Sequence, residues 1–532
     1  MSTWSLSSAS VGAVCVAAVL ALAGCRGSDA GNSSTEPGRS PSAGVSTSPV
    51  ARAGAGEPKA GAEAKPTAPS GRRGAPSPSD DFTKAAVKPE ESKLPNPFDS
   101  LYDRDFSLAD LSADPAGAME KPAVADGLKK SAALDPANKT FVYRATDASK
   151  AEGGFVRHDN SHKQAFNADN TRFIARDGQG AWYLYDAATF KQIERLGELK
   201  GNCEPIWHAS DPNLLHFTLR DGGTTWWTYN VEAEKGEVMF DFSGKTPWSQ
   251  ATSFSTKGRG AASADGRYLA LIATRHDEAT QTRNVYGVVV LDVKDKRIVG
   301  TLDARNFPKP GAFPDYVSAS PSGRHVVVSW PGDAGGTRAY TRDFTSPHNP
   351  AVSSQPYVQL HTESEHSDLA LNKQGEDVYV AVDYQSSTGD VFMVNLKSGK
   401  RTSLFPTYGA GTATALHISG KAYDKPGWVL VSTYAEHNAS NPSASIRNTS
   451  LQQWFHRKVF AVSLEANPQI RPLAHADSDS KSSWGSDAYW AEPQATVNSD
   501  FTRVLFNSTL NSSRIQDVET YMLALPKGAL DK

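Results

Sequence analysis

From residue 140 onward, apolar and polar positions follow one recurring order. A turn of the Asn/Asp/Ser-Gly kind is followed by a β-prone apolar run. A polar loop comes next, then a second apolar run ending in Asp or another polar residue. Copies start at Asn167 ("NADNTRFIARDGQGAWYLYD"), Ala209 ("ASDPNLLHFTLRDGGTTWWTYN"), Ser263 ("SADGRYLALIATRHD"), Ser320 ("SPSGRHVVVSW") and Asn372 ("NKQGEDVYVAVDYQ"). The sixth is blurred by an insertion after "DKPGWVLVSTYAEH", and the seventh starts at Asn498 ("NSDFTRVLFNSTL"). They recur at about forty to sixty residues, the period of a four-stranded blade. A blade cannot bury both faces alone, so seven stacked around an axis share one continuous core and leave few edges. The pattern predicts an all-β chain, with one seven-bladed β-propeller over residues 140–532. A pair of β-sandwiches or a β-helix is the rival reading.

The N-terminus breaks this pattern. Val11 to Ala23 is an apolar run bounded by small residues, too short for a comfortable membrane span and suited to a signal-peptide core. It ends in Leu22-Ala23-Gly24-Cys25, which closely resembles the bacterial lipobox: an aliphatic residue, two small ones, then the cysteine to be lipidated. No Lys or Arg precedes the run, a departure from that pattern, and the plain alternative is a buried helix. The resemblance implies cleavage after residue 24 and a lipid on Cys25. The partner it implies is a membrane, and the place is the bacterial cell envelope. Residues 25–96 are Ala, Gly, Pro, Ser and Thr with scattered charge, too poor in large apolar groups to offset ordering entropy, and read as a disordered linker. Residues 97–139 read as a transition segment.

Composition adds exclusions. The 532 residues carry a formal net charge of −3 with no basic block, so a nucleic-acid partner is not expected. Of three cysteines, Cys15 and Cys25 lie in the leader, leaving Cys203 alone in the body; no internal disulfide is possible there. Cys203 reads as a small buried residue. No Gly-x-Ser-x-Gly elbow or phosphate loop appears. Trp182, Trp226 and Trp227 fall within strands and read as core between blades. Asn438, Asn448 and Asn507 match glycosylation sequons that carry no meaning in a bacterium.

In a propeller the innermost strand of each blade precedes its turn, so seven short strands line the axial channel. Their entrance ends fall about seven residues before the turn's Asp or its equivalent. Alignment on the turns brings His162, Lys163 and Gln164, then Glu204, Arg259, Asp315 and Tyr316, His366 and Asp368, and Glu492 and Gln494 to equivalent positions. The sixth copy is ambiguous, with His417 nearest. These side chains would converge on one channel mouth. A ligand or partner, glycan or protein, is expected there; the plain alternative is a water-filled channel with a polar lining.

"SADGRYLA" and "SPSGRHVVV" resemble the Ser-Pro-Asp-Gly-Lys blades of the TolB-like and oligogalacturonate-lyase-like propeller superfamily, and lack the Gly-His and Trp-Asp marks of WD40 repeats. The resemblance covers the whole body and speaks to fold more than to function. It implies a second reading: polysaccharide lyase chemistry on uronate glycans. There a cation neutralises the uronate carboxylate and a base removes the C5 proton. Arg259, Tyr316, His162 and His366 are the candidate catalytic residues. Lys163, Gln164, Glu204, Asp315, Asp368, Glu492 and Gln494 are candidate ligand contacts. In such lyases a His/Gln cluster holds the metal, and His366, Asp368 and Gln494 are the corresponding candidates for a divalent ion such as Mn, Ca or Zn. Glu492 stands where a histidine would suit that cluster better. His437, His456 and His475 fall outside the aligned ring.

Overall fold

The computed structural model describes residues 96–532, apart from residues 110, 112–118, 125–131, 200, 202, 220–221, 278–279, 281, 346–353, 442, 445, 448 and 480–487. The expected signal peptide, Cys25 and nearly all of the linker lie outside the described residues.

Among the described residues the repeated apolar runs form 29 strands in seven antiparallel sheets, six of four strands and one of five. Blade one holds β3 (Val156–Arg157), β4 (Arg172–Asp177), β5 (Trp182–Asp186) and β6 (Gln192–Arg195). Blade two holds β7 (Ile206–Trp207), β8 (Leu214–Leu219), β9 (Gly222–Asn230) and β10 (Lys235–Asp241). Blade three holds β11 (Ser253–Ser255), β12 (Tyr268–Asp277), β13 (Thr282–Asp292) and β14 (Arg297–Asp303). Blade four holds β15 (Tyr316–Ala319), β16 (His325–Ser329), β17 (Thr337–Thr341) and β18 (Tyr357–His361). Blade five holds β19 (Ser367–Leu371), β20 (Asp377–Asp383), β21 (Asp390–Asn395) and β22 (Arg401–Pro406). Blade six holds β23 (Thr412–Ser419), β24 (Trp428–Asn438), β25 (Lys458–Ser463) and β26 (Ile470–His475).

Blade seven closes the ring with strands from both ends of the body. Its order is β1 (Ala132–Leu134), β2 (Phe141–Arg144), β29 (Glu519–Ala524), β28 (Arg503–Ser508) and β27 (Thr496–Val497). Residues read as a transition segment thus take part in closure. Phe98 is fully buried, its ring 5.2 Å from the Arg503 guanidinium. Tyr102 donates its hydroxyl to the Ala524 carbonyl at 2.6 Å.

The core lies between blades. Central strands such as β20 (sequence DVYVAVD) carry apolar groups on both faces because each face meets a neighbouring blade. Trp182 and Trp226 are fully buried, as expected, and Trp226 donates its indole N–H to the Phe254 carbonyl of the next blade at 2.9 Å. Trp227, expected in the core, points outward on β9 and is 38% exposed. The turns behind the repeat need a left-handed residue: Gly266, Gly323 and Gly375 supply it in three blades, Asn170 and Phe501 in two others. That substitution is why the motif fades at the two ends of the repeat.

One blade departs from the plan. The inner strand of blade one stops after Arg157 and resumes only at the Phe166–Phe173 bridge. Residues 158–165 between them turn into the axis. Asn160 donates its amide to the Gly258 carbonyl of blade three at 3.1 Å, and the Lys163 carbonyl accepts from Thr496 of blade seven at 2.7 Å. This plug crosses the channel.

Candidate polar ring at the channel mouth

Period-two alternation along each inner strand turns alternate side chains to the axis, so equivalent offsets become spatial neighbours. The structure brings together His162, Arg259, Tyr316, His366, Asp368, Glu492 and Gln494. His162, carried by the plug, places Nδ1 3.8 Å from Asp368 Oδ1, and its ring centre lies 6.2 Å from that of Tyr316. The Tyr316 hydroxyl and Ser367 Oγ are hydrogen-bonded at 2.9 Å. His366 donates Nδ1–H to the Leu416 carbonyl. His417 completes the ring from blade six. Its imidazole stacks on His366 at 4.7 Å and 12° and on Tyr434 at 4.8 Å and 10°. Its Nε2–H donates to Glu492 Oε2 at 2.9 Å, where the Gln494 amide also donates at 3.0 Å.

Other expected contacts hold the channel wall instead. Lys163 donates to the Gly260 carbonyl at 2.6 Å. Gln164 turns toward blade seven, donating to the Val497 carbonyl at 3.2 Å. Glu204 accepts from the amide and the hydroxyl of Thr256 at 2.8 and 2.9 Å, which fastens blade two to blade three. Asp315 lies 3.8 Å from Lys257. Adjacent blades thus engage half-buried Gln164 and one carboxylate oxygen of buried Glu204.

Three residues that carry the site were not assigned from sequence. His417 stands seven residues ahead of Asp424, the offset shared by the other copies; the insertion in blade six obscured it. Arg157 is fully buried, its guanidinium 5.1 Å from the Tyr489 ring and 5.3 Å from the Trp490 ring. Lys421 sits two residues past the end of β23 and donates to Asp368 Oδ1 at 2.8 Å. No spacing rule marks the last two.

The electrostatics make the ring's imidazoles neutral. Burial, only partly opposed by Asp368, lowers His162 from the ordinary value to about 4. Burial followed by Arg259 lowers His366. Burial, His366, His162, Arg259 and Arg157 together push His417 well below an ordinary imidazole. Burial raises the Tyr316 phenol well above 10, so it stays protonated. Arg259 is half-buried and lies within electrostatic reach of His162, Tyr316, His366 and His417.

A divalent metal does not fit the three residues expected to hold it. Asp368 Oδ2 accepts from the Gly420 amide at 2.7 Å, and Oδ1 faces the Lys421 ammonium. Gln494 turns its amide N–H to Glu492, and its carbonyl oxygen accepts from the Ser161 amide at 3.4 Å. The parallel rings of His366 and His417 hold their in-plane lone pairs in separate planes rather than on one point. Among the described residues no group of three or more His, Cys, Asp or Glu is placed to hold a metal ion.

A cavity of about 820 Å³ lies at the turn ends of the inner strands. Turns around Asp169, Ser263, Asp424 and Asp500 line it, and its inner end reaches His162, Lys163 and Lys421. His366, His417, Glu492 and Arg259 are not among its lining residues, and His162 is the ring member that borders it.

No protein family and no curated protein matches the sequence. Solved structures do. Oligogalacturonate lyase from Vibrio parahaemolyticus is 10% identical, over 75% of this chain and 97% of that one, with a TM-score of 0.49. An oligogalacturonate lyase in complex with manganese is 13% identical, over 80% and 98%, with a TM-score of 0.49. The dihydro-heme d1 dehydrogenase NirN is 15% identical, over 66% and 61%, with a TM-score of 0.34. The chain is a seven-bladed β-propeller on its own strand order, and its site chemistry stands on its own residues.

Proposed function

We propose that this protein is a binding propeller of the bacterial cell envelope, anchored through lipidated Cys25, that takes a carboxylate-bearing glycan at the His366 mouth of its channel. The observation that carries the reading is the position of Arg259: a half-buried arginine within electrostatic reach of neutral imidazoles and a protonated phenol. A guanidinium in such surroundings suits a carboxylate, which it can hold bidentately. The neutral rings, Glu492 and Gln494 offer donors and acceptors for sugar hydroxyls, and the His366–His417–Tyr434 stack offers an aromatic face. Isothermal titration against a panel of acidic and neutral oligosaccharides tests it. Binding of uronate oligomers that Arg259→Ala removes supports the reading; indifference to every acidic sugar overturns it. Cys25→Ala should shift the protein from the membrane fraction to the soluble one; unchanged partitioning rejects the anchor.

The second reading is β-elimination on the same ligand. It is favoured by the depressed basicity of His162, His366 and His417, which leaves an imidazole lone pair available near neutral pH beside a cation. Growth of ultraviolet absorbance from an unsaturated uronate on mixing establishes it. Saturable binding without that signal leaves the protein a binder.

A further inference from the structure

We propose that Lys421 is the resident cation of this channel and holds the place that a divalent metal would otherwise take. Asp368, on the inner strand of blade five, faces the His162 imidazole and stands two residues after His366. A carboxylate buried this far requires a positive partner. The chain supplies that partner itself: Lys421 is 1% exposed, and its ammonium bonds Asp368 Oδ1 at 2.8 Å while the Gly420 amide takes Oδ2. The ammonium comes from the residue next to Gly420, where the chain leaves β23. A Cβ at Gly420 would press on the Leu369 carbonyl, so glycine lets the two inner strands approach closely enough for the contact. With both carboxylate oxygens claimed, and with Glu492 taken by His417 and Gln494, a metal entering here would have to displace an ammonium and break two further hydrogen bonds. Lys421 is a positioning residue: it orients Asp368 against His162.

The inference concerns metal binding alone, so its test is independent of whether the glycan reading holds. The probe is Mn²⁺, added to purified full-length protein after chelator treatment and dialysis. Elemental analysis of untreated protein should find no stoichiometric divalent metal, and the melting temperature should not move with Mn²⁺ or chelator. One equivalent of tightly held metal, or a melting temperature that Mn²⁺ raises, overturns the proposal. Lys421→Met frees Asp368 beside His162, and Mn²⁺ should then raise the melting temperature of that variant but not of Lys421→Met/Asp368→Leu. A folded Lys421→Met that ignores Mn²⁺ also overturns it. Should that variant fail to fold, the wild-type titration decides.

Discussion

Asp368 and Lys421 form a buried pair whose two members cannot be removed separately at equal cost. Asp368→Asn strands an ammonium away from water, and should cost about 3–5 kcal/mol of stability, read from the urea midpoint at pH 7. Asp368→Leu/Lys421→Met removes both charges and should cost markedly less. Equal losses in the two variants would show that the pair does not interact. Proton linkage gives a second prediction at this scale. His162 has a folded value of about 4 against 6.5 for an ordinary imidazole, so the unfolded chain binds the extra proton first as pH falls. Its contribution is present above about pH 6.5 and is lost progressively toward pH 4, amounting to about 3 kcal/mol. His162→Gln should flatten the stability profile in that window. A profile unchanged between the two proteins would contradict a buried, neutral His162. Much of the ring was legible in the sequence because period-two strands keep a nearly constant offset from their turns, and blades one and three to seven each contribute to the ring once His417 is counted. The roles of Gln164 and Glu204 were not, since the groups that claim them belong to neighbouring blades. Lys421 was hidden by its position just beyond a strand.

Closure depends on strands far apart in sequence. β1 pairs with β2 and β2 with β29, and Asp135 at the β1–β2 turn accepts from His475 of blade six through the backbone amide at 3.0 Å and Nδ1 at 2.8 Å. Deleting residues 1–95 should leave the thermal transition in place, whereas deleting through Arg144 should abolish cooperative melting by opening blade seven. A cooperative transition in the longer deletion would place closure elsewhere. A tighter constraint sits between blades three and four. A Cβ at Gly260 would overlap the Val317 carbonyl oxygen and crowd Thr256, so Gly260→Ala should lower stability by about 1–3 kcal/mol or more, measured by denaturant unfolding. Seven blades were readable because each repeats a turn and two apolar runs. The docking of residues 96–102 was not, because one fully buried Phe98 in a polar stretch carries no period. Nor was the plug, since residues 158–165 interrupt an inner strand without a sequence mark that separates them from a loop.

For the whole molecule, the plug ties blade one across the axis to blades three and seven. The cavity of about 820 Å³ borders the ring at His162, while His366, His417, Glu492 and Arg259 are not among its lining residues. Arg259 and the cavity can therefore be tested separately. Asp500 lines the cavity and caps its turn through Oδ1, a role that asparagine keeps, so Asp500→Asn alters charge in the cavity while preserving the turn. The measurement that tests the central claim most directly is the affinity of the full chain for a short uronate oligomer, by isothermal titration, beside Arg259→Ala and Asp500→Asn. Binding should be saturable, should weaken about tenfold or more in Arg259→Ala, a loss of at least about 1.4 kcal/mol, and should be unchanged in Asp500→Asn. No saturable binding by the wild type, or equal affinity in Arg259→Ala, contradicts a ligand site at the ring.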